Sequence, residues 1–224
     1  MDVKTEKGKR VLAACILAGV VCLAGGGEVV AGIPFWEGNT VYGESLLFVR
    51  EGGDLACATC LFKPDKIIQL KSAFKGIVYV PGKDCLLEPG TRRIVLPQGS
   101  RIGFLEAASL FPAVGAEHSI NYRKGDRSRG VLFHRLTGFC EMQTEVVYEH
   151  TEKWPGSVPG FVGDKLPLFQ GKIDICQAIL SNIYELFSSH YVSLTGNGVN
   201  HPNDFGHRVY AQYLLSMFVK REKE

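Results

Sequence analysis

The feature that most constrains this chain is a change of period beyond residue 150. From about residue 40 to 150, short apolar runs alternate with turn residues, whereas from residue 174 apolar residues recur at helical spacing. The early runs are Ser45–Arg50, Gly76–Val80, Arg93–Leu96, Gly130–Phe133 and Thr144–Glu149, each rich in β-branched, aromatic or other large apolar residues. Turn signals separate them at Glu51-Gly52-Gly53-Asp54, Pro81-Gly82-Lys83-Asp84, Pro89-Gly90 and Pro97-Gln98-Gly99-Ser100. Strands this short and this often interrupted pair antiparallel and bury one face of each sheet. Residues 33–150 are therefore expected to form a mainly β, jelly-roll-like antiparallel sandwich. The polar stretch from Arg123 to Arg129 reads as an exposed loop.

Residues 151–173 carry Pro155, Pro159 and Pro167 with Gly156, Gly160 and Gly163, the pattern of a linker or extended segment. Within 174–224, Ile175, Ile179, Ile183, Leu186 and Phe187 share one face of an expected helix over Asp174–His190. A second helix is expected from near Pro202 through Phe205, Val209, Tyr213 and Met217 to the charged tail Lys220–Glu224.

At the other end, Lys4, Lys7, Lys9 and Arg10 precede an uncharged run from Val11 to Ala24, closed by Glu28. The run is short for a bilayer span, and small residues follow it at cleavage points after Ala24 or Ala31. Residues 1–31 thus read as a signal peptide, giving a secreted or cell-surface protein with no stable membrane span after cleavage. Cys15 and Cys22 would leave with it; Cys57, Cys60, Cys85, Cys140 and Cys176 would remain. An oxidising compartment permits one or two disulfides among these, with no pairing readable. A charged fraction of 21% and a net charge of +2 imply neither a nucleic-acid nor an anionic-membrane partner. No GxGxxG or P-loop pattern occurs between a strand and a helix, so no organic cofactor is expected. Nothing in the sequence sets an oligomeric state.

The segment Thr195–His207, TGNGVNHPNDFGH, carries the most chemistry. His201 lies in a tight loop just before Pro202 and a helix. Its imidazole titrates near neutrality and its neighbours restrict the backbone, which suits a general base. The bland alternative is a loop histidine that caps the last helix. The run NHPNDFGHRVYAQ resembles the last block of SGNH/GDSL hydrolases, in which a loop His followed by Pro and a helix activates the catalytic Ser. The likeness extends over Pro34–Asp164, from PFWEGNTVYGESLLFV through TEVVYEHTEKWPG to FVGDKLP. That part is similar to the β-sandwich module preceding the catalytic domain in a group of bacterial esterases. The resemblance implies a secreted Ser-dependent esterase acting on ester or acetyl-ester groups, with small molecules or carbohydrates as their carriers. It places His201 at the position of the catalytic base.

The chain departs from the family pattern in three places. Gly198 stands where many members carry the Asp that orients the imidazole, so Asn197, Asn200 or a backbone carbonyl would hold the ring in a dyad. Asp204 reads instead as a first-turn charge. No convincing nucleophile segment is present. Gly43-Glu44-Ser45-Leu46 comes nearest to Gly-Asp-Ser, but Pro34–Tyr42 lacks a buried-strand run and Leu46–Val49 continues as a strand, so Ser45 is expected as a sandwich residue. Gly156-Ser157-Val158-Pro159-Gly160 is not an elbow, and no Gly-x-Asn-Asp oxyanion block appears. About sixty residues follow Gly163, whereas each strand–helix crossover unit needs about thirty. The resemblance therefore implies both ends of a two-domain esterase joined without the central catalytic portion, residues 174–224 being a helical remnant.

Other readings stay open beside the esterase. A non-catalytic secreted binding module would present an aromatic strip, with Phe35, Trp36, Tyr122 and Trp154 as candidates for either the strip or the core. A defective relic would leave the apolar faces at Ile175, Ile179 and Phe187 without the sheet they once covered. Metal sites are not expected: His201, Asp204 and His207 share a side only in a helix that Pro202 interrupts, and Cys57-Ala58-Thr59-Cys60 lacks a second ligand pair.

Overall fold

A computed structural model describes residues 34–121, 130–133, 141–156, 158, 186, 190–195 and 202–218. The expected signal peptide, the Arg123–Arg129 loop, the segment from Pro159 and all but Leu186 and His190 of the first expected helix lie outside the described residues.

The fold is mainly β. Its strands are β1 (Thr40–Leu46), β2 (Val49–Arg50), β3 (Cys57–Thr59), β4 (Lys66–Ser72), β5 (Val78–Tyr79), β6 (Leu86–Leu87), β7 (Arg93–Val95), β8 (Leu105–Glu106), β9 (Ser119–Asn121), β10 (Gly130–Leu132) and β11 (Thr144–Glu149). Three helices complete the described residues: α1 (Ala107–Leu110), α2 (Tyr191–Leu194) and α3 (Asp204–Phe218). One sheet runs β1-β11-β4-β5 and is antiparallel throughout. The other runs β6-β7-β3-β2-β8, antiparallel except that β2 and β8 pair parallel, Val49 opposite Leu105. β9 and β10 form a separate antiparallel ribbon.

The period-two signal is clearest in β11, where Thr144, Val146 and Tyr148 are buried and the residues between them are not. The run Ser45–Arg50, expected as one strand, is divided. Leu46, Leu47 and Phe48 are all buried in succession, which a single half-buried strand cannot achieve because its side chains alternate between faces. The chain leaves the first sheet after Leu46 and joins the second at Val49.

Both sheets contribute to one core. Val41, Leu46, Leu70, Val146 and Tyr148 come from the first; Ala58, Ile94 and the adjoining Leu61 and Phe62 come from the second. The α3 residues Phe205, Val209 and Tyr213 and the α2 residue Leu194 belong to the same cluster. The apolar face of α3 is thus covered by the sandwich; Ile175, Ile179 and Phe187, the faces a relic would leave orphaned, lie outside the described residues. Aromatic rings fasten this contact: Trp36 lies 4.8 Å from Tyr213 and Phe35 lies 5.0 Å from Trp154, both edge-to-face. The Phe35 amide also donates to Oε1 of Gln212 at 3.3 Å. Phe35 and Trp36 are buried and Trp154 is half-buried against the core, so these rings serve packing; Tyr122 lies outside the described residues.

Two side-chain pairs order the rim. Asp84, fully buried, accepts from Arg101 Nε at 2.9 Å, from Arg101 Nη2 at 2.6 Å and from the Val80 amide at 2.7 Å. Arg101 Nη2 also donates to the Val78 carbonyl on the edge strand β5. Arg92 and Glu152 form a second fork, whose Glu152 Oε2 also accepts from the Lys63 amide.

The first turn of α3 meets the end of α2 with no room to spare. A Cβ on Gly206 would lie 2.2 Å from the Leu194 carbonyl oxygen and 3.1 Å from Cβ of Pro202. Backbone cannot yield as a flexible side chain can, so Gly206→Ala should separate α3 from α2 and destabilise the protein by about 2 kcal/mol or more, measured by urea unfolding. A change within about 0.5 kcal/mol would mean that the junction adapts.

Candidate functional site

Side chains of Asn203 and Gln143 attach the histidine segment to the sandwich. Asn203, immediately before α3, directs its amide nitrogen at Ser45 Oγ (3.0 Å), Gln143 Oε1 (3.1 Å) and the Ser193 carbonyl (2.7 Å). Its amide oxygen accepts from the Gly206 amide at 2.9 Å, the hydrogen bond by which an N-cap satisfies an orphan donor. The Asn203 amide donates to Leu194 O at 3.0 Å, and Gln143 Nε2 donates to Thr195 O at 2.8 Å. Thr195 and Pro202 form an antiparallel bridge. Asn203 therefore ties together the ends of β1 and β11, the end of α2 and the start of α3.

His201 itself lies outside the described residues, as do Asn197, Gly198 and Asn200. Ser45 is in β1, as the sequence suggested, and is 3% exposed. It lies in an antiparallel sheet, away from any strand-to-helix elbow, yet its hydroxyl meets the residue two positions after His201. The segments GESL and NHPN, distant in sequence, thus converge. Asp204 opens α3 as an exposed first-turn acid, matching its sequence reading. Gln143 was not singled out by the sequence; a buried amide at a strand start leaves no periodic signal. Asn203 was visible within the segment, but its part as both cap and clamp was not.

Next to Ser45, Glu44 is buried beneath β1, 1% exposed. Tyr148 Oη donates to its Oε2 at 2.6 Å and the Leu61 amide donates to its Oε1 at 2.8 Å. Burial dominates over these bonds and over the nearby Arg92 charge, pushing the Glu44 carboxyl up to about 8. Gly43 precedes it at φ +59°, a left-handed conformation that spares glycine the usual strain, and its carbonyl accepts from Arg208 Nη2 at 2.6 Å. Three consecutive residues of β1 therefore face three environments: Gly43 meets α3, Glu44 the sandwich interior and Ser45 the Asn203 clamp.

Two described histidines are held neutral by burial, which lowers both. His150 stacks on Phe62 at 3.9 Å and its Nδ1 lies 2.9 Å from the Glu152 carbonyl; His190 Nδ1 lies 3.3 Å from the Leu186 carbonyl. Among the described residues no group of three or more His, Cys, Asp or Glu side chains is arranged to hold a metal ion. Cys57, Cys60 and Cys85 are free thiols. Among the described residues no helix is long and apolar enough to cross a membrane. No protein-family model matches the chain, and neither a characterised protein nor a solved structure matches it.

The clamp separates into two measurable parts. Asn203→Ala removes the cap and the donor to Ser45 Oγ and Gln143 Oε1, and should cost about 2–3 kcal/mol in chemical unfolding. Asn203→Asp keeps the cap acceptor but loses the Nδ2 donor and sets a half-buried carboxylate against the Ser193 carbonyl and Gln143 Oε1, so it should recover little of that loss; full recovery would mean that the cap alone matters.

Glu44 predicts a pH dependence of defined sign. Its carboxyl ionises near 4.5 in the unfolded chain and near 8 in the folded one, so between those values the folded state binds more protons. Stability from this group is fully present below about 4.5 and falls as pH rises towards about 8, by up to about 1.4 kcal/mol per pH unit. His150 and His190 act in the opposite sense, because burial of their neutral forms is lost on acidification below their ordinary 6.5. Glu44→Gln isolates the acid: the stability difference should shift steadily in the variant's favour from pH 5 to 8. Parallel curves would show that Glu44 does not hold its proton.

Proposed function

We propose that the chain is a secreted esterase of the SGNH/GDSL type, acting on ester or acetyl-ester groups with His201 as general base. The supporting observation is the convergence at Asn203. The segment resembling the family's histidine block is built into the sandwich through Ser45 and Gln143, and the helix following it contributes Phe205, Val209 and Tyr213 to the common core. The clamp residue Asn203 stands two positions after His201 in the sequence, and a general base needs a fixed position. In this reading His201 takes the proton from a serine hydroxyl as that oxygen attacks the ester carbonyl, then returns it to the leaving alcohol. With Gly198 in place of an orienting Asp, slow turnover is expected.

A second reading, a secreted β-sandwich that binds without hydrolysing, is favoured by one observation. Ser45, the serine whose hydroxyl the clamp holds, is almost fully buried within an antiparallel strand. A nucleophile must reach its substrate.

Fluorophosphonate labelling followed by peptide mass spectrometry separates the two. The esterase reading expects one labelled serine whose label disappears in His201→Ala, and Ser45→Ala tests whether that serine is Ser45. Absence of label in protein shown to be folded by circular dichroism overturns the esterase reading and leaves the binding module.

A further inference from the structure

β1 lies at an edge of its sheet, paired with β11, and the pairing slips between Val41 and Glu44, where β1 carries one residue more than β11. The slip is a bulge around Gly43, whose φ of +59° most side chains resist. Two ties to the last helix flank Glu44 there. On one side the Gly43 carbonyl accepts from Arg208 Nη2 at 2.6 Å; on the other, Ser45 Oγ accepts from Asn203 Nδ2 at 3.0 Å.

The Glu44 side chain is buried in the sandwich, where groups from several elements face it. Tyr148 of β11 and the Leu61 amide donate to its two oxygens, the Cys60 thiol adjoins it beyond β3, and the Arg92 cation stands ahead of β7. From α3 comes Arg208, directed at the Gly43 carbonyl, with Glu145 and Asp204 facing its own charge. Burial raises the Cys60 thiol well above 9.0 and the Tyr148 hydroxyl above 10.0, so Glu44 is the first of these three acids to ionise as pH rises. Both of its donors are neutral, and a carboxylate in the interior calls for water. Lifting β1 breaks one ladder of hydrogen bonds, whereas lifting β11 breaks two. The edge strand is therefore the cheaper way to wet Glu44, and Gly43 and Ser45 move with it.

We propose that Glu44 is a proton latch on the last helix: its ionisation lifts β1 at the Gly43 bulge, parts the Arg208 and Asn203 ties and undocks α3, while β11 and β4 stay paired. Release bares Phe205, Val209 and Tyr213, the apolar face by which α3 belongs to the core. The opened form ionises near 4.5 and the closed form near 8, so opening grows with pH between those values and levels off above about 8. The latch works whether or not the chain hydrolyses esters.

Amide hydrogen exchange of the full chain, read by mass spectrometry on peptides from α3 and β4, tests the latch. The window from pH 6.5 to 8 lies above the ordinary value of the buried His150 and His190, which act in the opposite sense. With exchange corrected for its chemical rate at each pH, α3 should open about tenfold more often per pH unit across this window. At every pH it should also open at least about tenfold more often than β4. Glu44→Gln should remove the slope from α3. Opening of α3 that ignores pH is mere fraying and overturns the proposal. Equal opening of α3 and β4 is whole-molecule unfolding and overturns it too, as does a slope that survives Glu44→Gln. Should that variant not fold, Tyr148→Phe decides: the lost hydrogen bond favours the ionised carboxyl, so the levelling-off should move to higher pH, and an unmoved one overturns the latch.

Discussion

The hydrogen bonds from one amide side chain, Asn203, connect elements that sequence order leaves far apart, and the rest of the C-terminal architecture depends on them. Ser45 and Gln143 stand buried at the ends of neighbouring strands, and the Asn203 amide is a donor they share. A buried polar atom costs about 1–3 kcal/mol when left unmatched. Asn203 donates to both residues while its oxygen caps α3, so docking the helix and closing the sheet are one event. Gly206 completes the arrangement by letting backbone meet backbone at Leu194. The apolar residues of α3 supply the attraction, and the amide fixes which part of the helix meets which strand.

Glu44 adds a constraint of a different kind. A carboxyl buried among Tyr148, Leu61 and Cys60 has a donor for each oxygen, and burial pushes it up to about 8. Its position in β1, between the glycine that touches α3 and the serine that touches Asn203, links the interior of the sandwich to the clamp. Repacking of Glu44 would therefore move the two residues that hold the last helix.

The mainly β fold was legible because period two and turn chemistry act locally. Thr144–Glu149 was read with the bounds the structure shows, and α3 lies where spacing from Phe205 to Tyr213 placed it. β4 was overlooked because Lys66–Ser72 mixes Lys and Gln with its isoleucines, and only pairing with β11 and β5 makes it a strand. The division of Ser45–Arg50 was hidden because a continuous apolar run looks the same whether it faces one sheet or crosses between two. The clamp was only half visible: Asn203 lay within a recognisable segment, but its partners Ser45 and Gln143 are 158 and 60 residues away, a distance over which side-chain complementarity leaves no periodic trace. His201, the residue on which the sequence reading of function turned, lies outside the described residues, and the esterase assignment stays a proposal.

The Asp84–Arg101 pair has a consequence for how this protein behaves when concentrated. Strand β5 is an edge of its sheet, and Val78 and Val80 stand exposed beside it, a combination that invites another chain to add itself as a further strand. Arg101 occupies the Val78 carbonyl, one of the acceptors such an intruder would need. The guanidinium stays there because Asp84 anchors it, and Arg101 in turn holds the Asp84 carboxyl far below the usual carboxylate range. The guard on this edge therefore persists into mildly acidic solution, because its acid stays ionised there.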